Sequence, residues 1–370
     1  MRLLAKISCV IVGVLFILSG LVKAVDPLGF SYKLEEYNAV AGLSALDFTS
    51  LFLAISLCAL EILIGFSLLL RWKVSFWSSI LLILIVFFTF LTGASAIFGV
   101  VKDCGCFGDA LKLTPTESFI KDLILLVLSL MIYAQRLYLF PLFKEALANR
   151  LVLTLGALAS LSISYIGINH LPIIDYRAYK IGNSLIEKMQ DGIPEEVESK
   201  FIYKEKSSSK EQTFSTEDIL NLDYDKWEFV DVKHTIIKEG KSASISDFMI
   251  LDPFGADRTI EILQEDKYQI WVISYAMNNA NKDAFKGIAS LANELQGISF
   301  LGLTNGSPEE NENFRHDIQA AFPFFSADQT ALKTMIRSNP GIMLIKNGKV
   351  LEKWHYNDGI DASLIKSKLE

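Results

Sequence analysis

"VKDCGCFGDALKLTP", residues 101–115, places two of the chain's four cysteines one residue apart, in a short polar stretch between two long apolar runs. A helix needs about 20 apolar residues to cross a hydrocarbon core, and the runs from Phe76 to Val100 and from Phe119 to Leu139 meet that length. The stretch therefore reads as a loop at a membrane surface. Three further segments of the same kind surround it, Ile7 to Ala24, Phe48 to Leu70 and Leu151 to Ile168. Together they predict an α-helical membrane bundle over the first 170 residues, whereas the rest of the chain carries charges throughout, as a soluble domain does.

Composition supports two halves in two solvents: 51% of the 370 residues are hydrophobic, and they concentrate in the first half. A net charge of -7 without a long Lys/Arg tract argues against nucleic acid as a partner. No His/Cys cluster has zinc-like spacing, so no metal site is expected. The first apolar run lacks a cleavage site, because "LSGLVKAVDP" (18–27) puts Leu21 and Lys23 where small residues are wanted, and it reads as a retained helix. Basic residues fall on one side: Arg2 and Lys6, then Arg71 and Lys73, then Arg136, Lys144 and Arg150. The positive-inside rule makes that side cytoplasmic and places loops 25–47 and 101–116 and everything after His170 outside, in the cytoplasmic membrane of a cell whose exterior permits disulfides.

Glu61 lies near the middle of the second apolar run, in "LCALEILIGF". A carboxylate there is costly and is expected to face the bundle interior, either for a proton or quinone contact or as a carboxyl hydrogen-bonded to a neighbouring helix. Cys9 and Cys58 lie within helices and read as small apolar fillers. Cys104 and Cys106 are spaced to close a small disulfide, with Gly105 supplying backbone freedom. Strain in an exposed ring favours exchange, and Lys102, Asp103, Phe107 and Asp109 surround the thiols. Spacing alone fits both an exchanging pair and a staple that pins the turn.

"GVLFILSGLVKAVDPLGFSYKLEEY" (13–37) and "KDCGCFGDALKLTPTESFIKD" (102–122) resemble the DoxX-like membrane proteins, specifically the MauE branch associated with methylamine utilisation. The likeness covers residues 1 to about 140. It implies a four-helix membrane core and a role, with a separate thioredoxin-like or cysteine-containing partner protein, in forming or transferring disulfides outside the cytoplasm. It does not by itself imply methylamine metabolism. On its matching positions it assigns the catalytic role to Cys104 and Cys106 and supporting roles to Lys23, Asp26, Pro27, Phe107 and Gly108. DoxX similarity and Glu61 also admit a quinone-linked oxidase subunit, with quinone as cofactor. A fifth transmembrane helix and a large soluble domain depart from the simple family pattern and are similar to fused proteins of the Bacteroidetes.

The expected organisation is a four-helix domain (1–140), a fifth transmembrane helix (141–170), a connector and accessory segment (171–260) including the polar "YKEKSSSKEQ" at 203–212, and a last domain (261–370). In that domain "YQIWVISY" (268–275) and "ISFLGLTN" (298–305) read as buried strands, separated by an amphipathic helix over 281–297 and followed by a polar helix through Phe314 and Ile318. "IRSNPGIMLIKNGKVLEKWHY" (336–356) reads as a hairpin turning at Asn347 and Gly348. This order is similar to a thioredoxin fold, with Pro340 at its cis-proline position. Where that fold carries C-x-x-C the chain has "SYAMNNANKD" (274–283), and no cysteine follows Cys106, so the domain has no dithiol cycle of its own. His355, in "KWHYND" (353–358), reads as an exposed strand histidine rather than a ligand contact. The alternative to thiol exchange is a non-catalytic scaffold whose thioredoxin-like domain binds a protein or peptide.

Overall fold

The structure is a computed structural model that describes every residue except Val100, residues 102–104, Lys112, Lys144, Ser208, Ser209, Asn221, Glu239, Asp247, Gln296 and Glu370. Six helices form the first half: α1 (Arg2–Val25), α2 (Pro27–Val40), α3 (Ser50–Leu70), α4 (Val74–Phe98), α5 (Pro115–Ala134) and α6 (Ala146–Asn169). Among the described residues, α1, α4, α6 and the segment Ser44–Leu70 containing α3 are long and apolar enough to cross a membrane. The chain is thus a multi-pass membrane protein. α4 turns Ile83, Phe90 and Phe98 outward, the apolar exterior that lipid requires.

One expectation changes here. The 25–47 stretch, read as a loop, contains α2, which starts at Pro27 with the Asp26 carboxylate accepting from the Gly29 N–H as its cap. α5 carries Glu117, Lys121 and Asp122 near its start and lies outside the set of helices apolar enough to span. It packs against α4, where a Cβ on Gly93 would lie 3.0 Å from the Phe119 ring. The Asp122 carboxylate, buried there, is satisfied by the Thr92 hydroxyl at 3.0 Å and the Lys121 ammonium at 2.8 Å.

The second half begins with α7 (Leu185–Gln190) and an antiparallel sheet of order β2-β1-β3, formed by β1 (Glu196–Glu205), β2 (Glu211–Phe214) and β3 (Trp227–Lys238), with α8 (Thr216–Ile219) between the last two. The segment 203–212 is therefore the end of one strand and the start of the next, because Phe201 to Lys204 pair with Glu211 to Phe214. There follow α9 (Thr259–Gln264), β4 (Tyr268–Ser274), α10 (Lys282–Glu294), β5 (Ser299–Thr304), α11 (Pro308–Asp317), β6 (Phe324–Ser326), α12 (Gln329–Met335), β7 (Gly341–Lys346), β8 (Lys349–His355) and α13 (Ala362–Ser367).

These strands form one sheet in the order β6-β5-β4-β7-β8. β4, β5 and β6 run parallel, while β7 is antiparallel to both β4 and β8. β4 is central and covered on both faces, which accounts for its unbroken apolar run. Ile270 and Val272 meet Phe285 of α10 and Ile365 of α13 on one side. Trp271 and Ile273 meet Leu332 and Met335 of α12 on the other. Parallel strands joined by a helix, then an antiparallel hairpin and a closing helix, make this a thioredoxin-like domain. The hairpin turns at Asn347 and Gly348, both left-handed with φ of 47° and 67°. β6 and α12, absent from the sequence reading, lie between its second helix and the hairpin.

Candidate functional site

α1 and α3 approach closely, because a Cβ on Gly20 would lie 2.7 Å from Ile62 Cγ1 and 2.9 Å from the Cys58 carbonyl. Only glycine fits there. One turn further on, Lys23 Nζ lies 2.5 Å from Glu61 Oε1, and both side chains are buried. Lys23 also sits 4.9 Å from the centre of the Phe30 ring on α2. Glu61 faces a neighbouring helix in a buried ion pair, the arrangement that makes a charge tolerable in hydrocarbon, and this position fits either of its two expected roles. Its second oxygen, Oε2, is buried with no hydrogen-bond partner among the described residues.

Cys106 lies against α1 near its end. Cys106 is disulfide-bonded, while Cys9 and Cys58 are free and buried; Cys104, with Lys102 and Asp103, lies outside the described residues. The Ser19 hydroxyl donates to the Cys106 carbonyl at 2.9 Å. Gly105 and Gly108 are left-handed, with φ of 66° and 53°, and the Gly108 N–H closes back on the Gly105 carbonyl at 3.0 Å. Lys121 lies 5.4 Å from the centre of the Phe107 ring. The loop is thus tied both to α1 and to the start of α5.

The thioredoxin-like domain docks at the same end of the bundle. Arg337, buried between α12 and β7, sets its Nε 3.0 Å from both oxygens of Asp26 and a terminal nitrogen 3.4 Å from Asp109. A second terminal nitrogen donates to the Lys333 carbonyl. Gly29 is required here, since a Cβ would lie 2.6 Å from the guanidinium. Burial would raise the Asp26 carboxyl, but the Arg337 guanidinium, aided by Arg177, holds it below the usual carboxylate range. Around this pair, Lys333 reaches Glu35 at 3.3 Å and lies over the Tyr32 ring, and Tyr32 meets Tyr275 edge-on at 6.2 Å. α6 is tied in as well, because His170 contacts Asp358 at 2.6 Å and the Asn357 amide donates to the Asn169 carbonyl.

The Asn339–Pro340 bond is cis. Asn339 accepts from the Ser274 hydroxyl at 2.7 Å and donates to the Ala276 carbonyl at 2.8 Å, which seals the loop onto the end of β4, the place where the fold can carry cysteines and this chain has none. His355 differs from expectation: it is buried at the end of β8 and accepts from the Asn357 N–H at 3.1 Å. Arg337, Tyr32 and Asp122 escaped the sequence reading. The only signal for Arg337 was a cation set between apolar Ile336 and the Asn-Pro head of the hairpin.

Fold and site define a multi-pass membrane protein with a thioredoxin-like domain seated beside a disulfide loop. Residues 1–135 match the family described as "Methylamine utilisation protein MauE". No curated protein matches the chain. Among solved structures, a thiol peroxidase from Chromobacterium violaceum is similar at 14% identity and a TM-score of 0.27, over 34% of this chain and 82% of that one. A peroxiredoxin-like protein from Aquifex aeolicus is similar at 10% identity and a TM-score of 0.25, over 33% and 80% respectively. The thioredoxin-like assignment rests on the strand order and helix placement above.

Proposed function

We propose that this protein, a membrane protein of redox character, exchanges disulfides outside the cytoplasm through Cys104 and Cys106 with a separate cysteine-containing protein, and that the thioredoxin-like domain helps seat that partner. The observation that carries the reading is the bonded state of Cys106 in a half-buried loop that contacts the docked domain through Asp109. In one cycle a partner thiolate attacks one loop sulfur, a mixed disulfide forms, and the partner's second thiolate displaces the loop thiolate. The partner leaves oxidised and the loop keeps two thiols.

The orientation belongs to the same proposal, as does the division at residues 140, 170 and 260. α5 supports an odd number of crossings: its start adjoins the Cys106 loop, and its far end adjoins Arg2, which lies 4.7 Å from the centre of the Tyr138 ring. Leu142 beyond it bonds to the Leu70 carbonyl.

Cys104→Ser and Cys106→Ser variants expressed in cells test the exchange. Either variant leaves one loop thiolate, which should attack the disulfide of the oxidised partner in the reverse direction and, with no neighbouring thiol to release it, accumulate a covalent complex that reductant dissolves; its partner must be another polypeptide, since no cysteine follows Cys106. If both variants trap nothing and keep full function, the pair is a staple and the protein a scaffold.

A further inference from the structure

An apolar cavity of about 720 Å³ lies within the bundle, walled by residues of α1 to α5 such as Phe16, Leu57 and Phe88. This volume falls in the range of small-molecule sites, about 300–1,000 Å³. Its polar points are the Lys23–Glu61 pair, Ser19 with Cys106, the Lys121–Asp122 pair, and Tyr37, Asn38 and Glu117. Glu61 is nine-tenths buried and more, and its Oε2 is without a hydrogen-bond partner among the described residues. Gly105, disulfide-bonded Cys106 and Phe107 therefore form part of the wall of a lipophilic chamber that contains a buried ammonium and a carboxylate oxygen with unused hydrogen-bonding capacity.

The inference rests on the exchange reading. Each turnover leaves the loop as two thiols, and a second turnover requires two electrons and two protons to leave. The chain offers no cysteine pair to receive them: nothing follows Cys106, and Cys9 and Cys58 are buried, free thiols on two different helices. The acceptor comes from outside, and the cavity specifies its chemistry. It must be apolar, enter from within the membrane, carry two electrons at once and bear oxygens that take up protons.

We propose that the cavity holds the ring of a membrane quinone, which reoxidises the Cys104–Cys106 dithiol. Two S–H bonds break and one S–S bond forms. The electron pair passes to the ring, and the two protons end on its two oxygens, giving a quinol. The Lys23 ammonium orients one quinone oxygen as a donor, and Glu61 carries a proton towards it.

The intact chain, reduced and freed of reductant, is mixed with a short-tailed benzoquinone whose ring positions are all substituted, so that thiols cannot add to the ring. Thiols should disappear with one quinol formed per disulfide. Glu61→Gln should slow this by about a hundredfold and shift its pH profile, as loss of a proton carrier does. Leu57→Trp narrows the cavity while leaving both members of the ion pair unsubstituted, and should raise the quinone concentration for half-maximal rate by about tenfold. Thiol loss at the same rate with and without quinone, quinol formation equal in the wild type and in Leu57→Trp, or a bound phospholipid that the quinone does not displace would each overturn the proposal. A partner trapped in cells without quinol formation by the purified chain would leave the exchange reading standing and make the oxidant a protein. Failure to trap any partner would count against exchange itself.

Discussion

Asp26 and Arg337 stand 311 positions apart, yet one carboxylate caps α2 and holds a guanidinium from the far end of the chain. Replacing Arg337 by Ala leaves the carboxylates of Asp26 and Asp109 without their shared cation, at a cost of about 3 kcal/mol. We expect Arg337→Ala to loosen the thioredoxin-like domain from the bundle, seen as faster limited proteolysis between residues 170 and 180, with Arg337→Lys intermediate because one ammonium cannot reach Asp26, Asp109 and the Lys333 carbonyl together. Two buried bases on β8 set a pH dependence. Burial pushes His355 down to about 4, assisted by His170 and opposed by Asp358. Burial and Arg177 push Lys353 down to about 7, although Asp175 lies 2.8 Å away. For each, the unfolded chain binds its proton at a higher pH than the folded chain. Stability therefore rises with pH from about 4 to 6.5 through His355, and again from about 7 to 10.5 through Lys353. Unfolding midpoints of the intact chain across this range should show both limbs; His355→Gln should flatten the first and Lys353→Met the second. Identical slopes in the variants would refute the assignment.

At the scale of elements, the helices follow from apolar length, and their mutual placement follows from small residues. Gly20 brings α3 against α1 one turn before Lys23 meets Glu61. Gly20→Leu should separate the helices and cost about 1–3 kcal/mol by overpacking, measurable as an earlier unfolding midpoint in detergent. Gly287, on an open face of α10 with nothing near its absent Cβ, provides a control whose replacement by Ala should be neutral or slightly stabilising. The strands show how much was legible. β4, β5 and the β7–β8 hairpin were evident in the sequence because apolar runs and an Asn-Gly turn act locally. β6 was not, since three residues, Phe324–Ser326, are too few for a period and become a strand only by pairing with β5. α2 was overlooked because its faces lack strong contrast, although Asp26 and Pro27 supplied a start signal.

For the whole molecule, the testable quantity is sidedness. Single cysteines introduced as Lys73→Cys and Lys206→Cys, probed in intact cells with a membrane-impermeant thiol reagent, should label at 206 and not at 73. The reverse pattern would invert the bundle and place the disulfide loop in a reducing compartment, where exchange as proposed would not run. The sequence by itself determined the partition into a membrane half and a soluble half, the basic bias of one set of loops, the cysteine pair and the lack of any cysteine after it. Hydropathy, charge counts and residue identity are properties of the chain read in order, and they need no knowledge of neighbours. Only the tertiary structure decided that Lys23 neutralises Glu61, that Arg337 bridges the halves through Asp26 and Asp109, that His355 is buried, and that Cys106 borders a 720 Å³ apolar chamber. Each depends on groups distant in sequence meeting where water is scarce, and a buried charge or thiol takes its character from those neighbours.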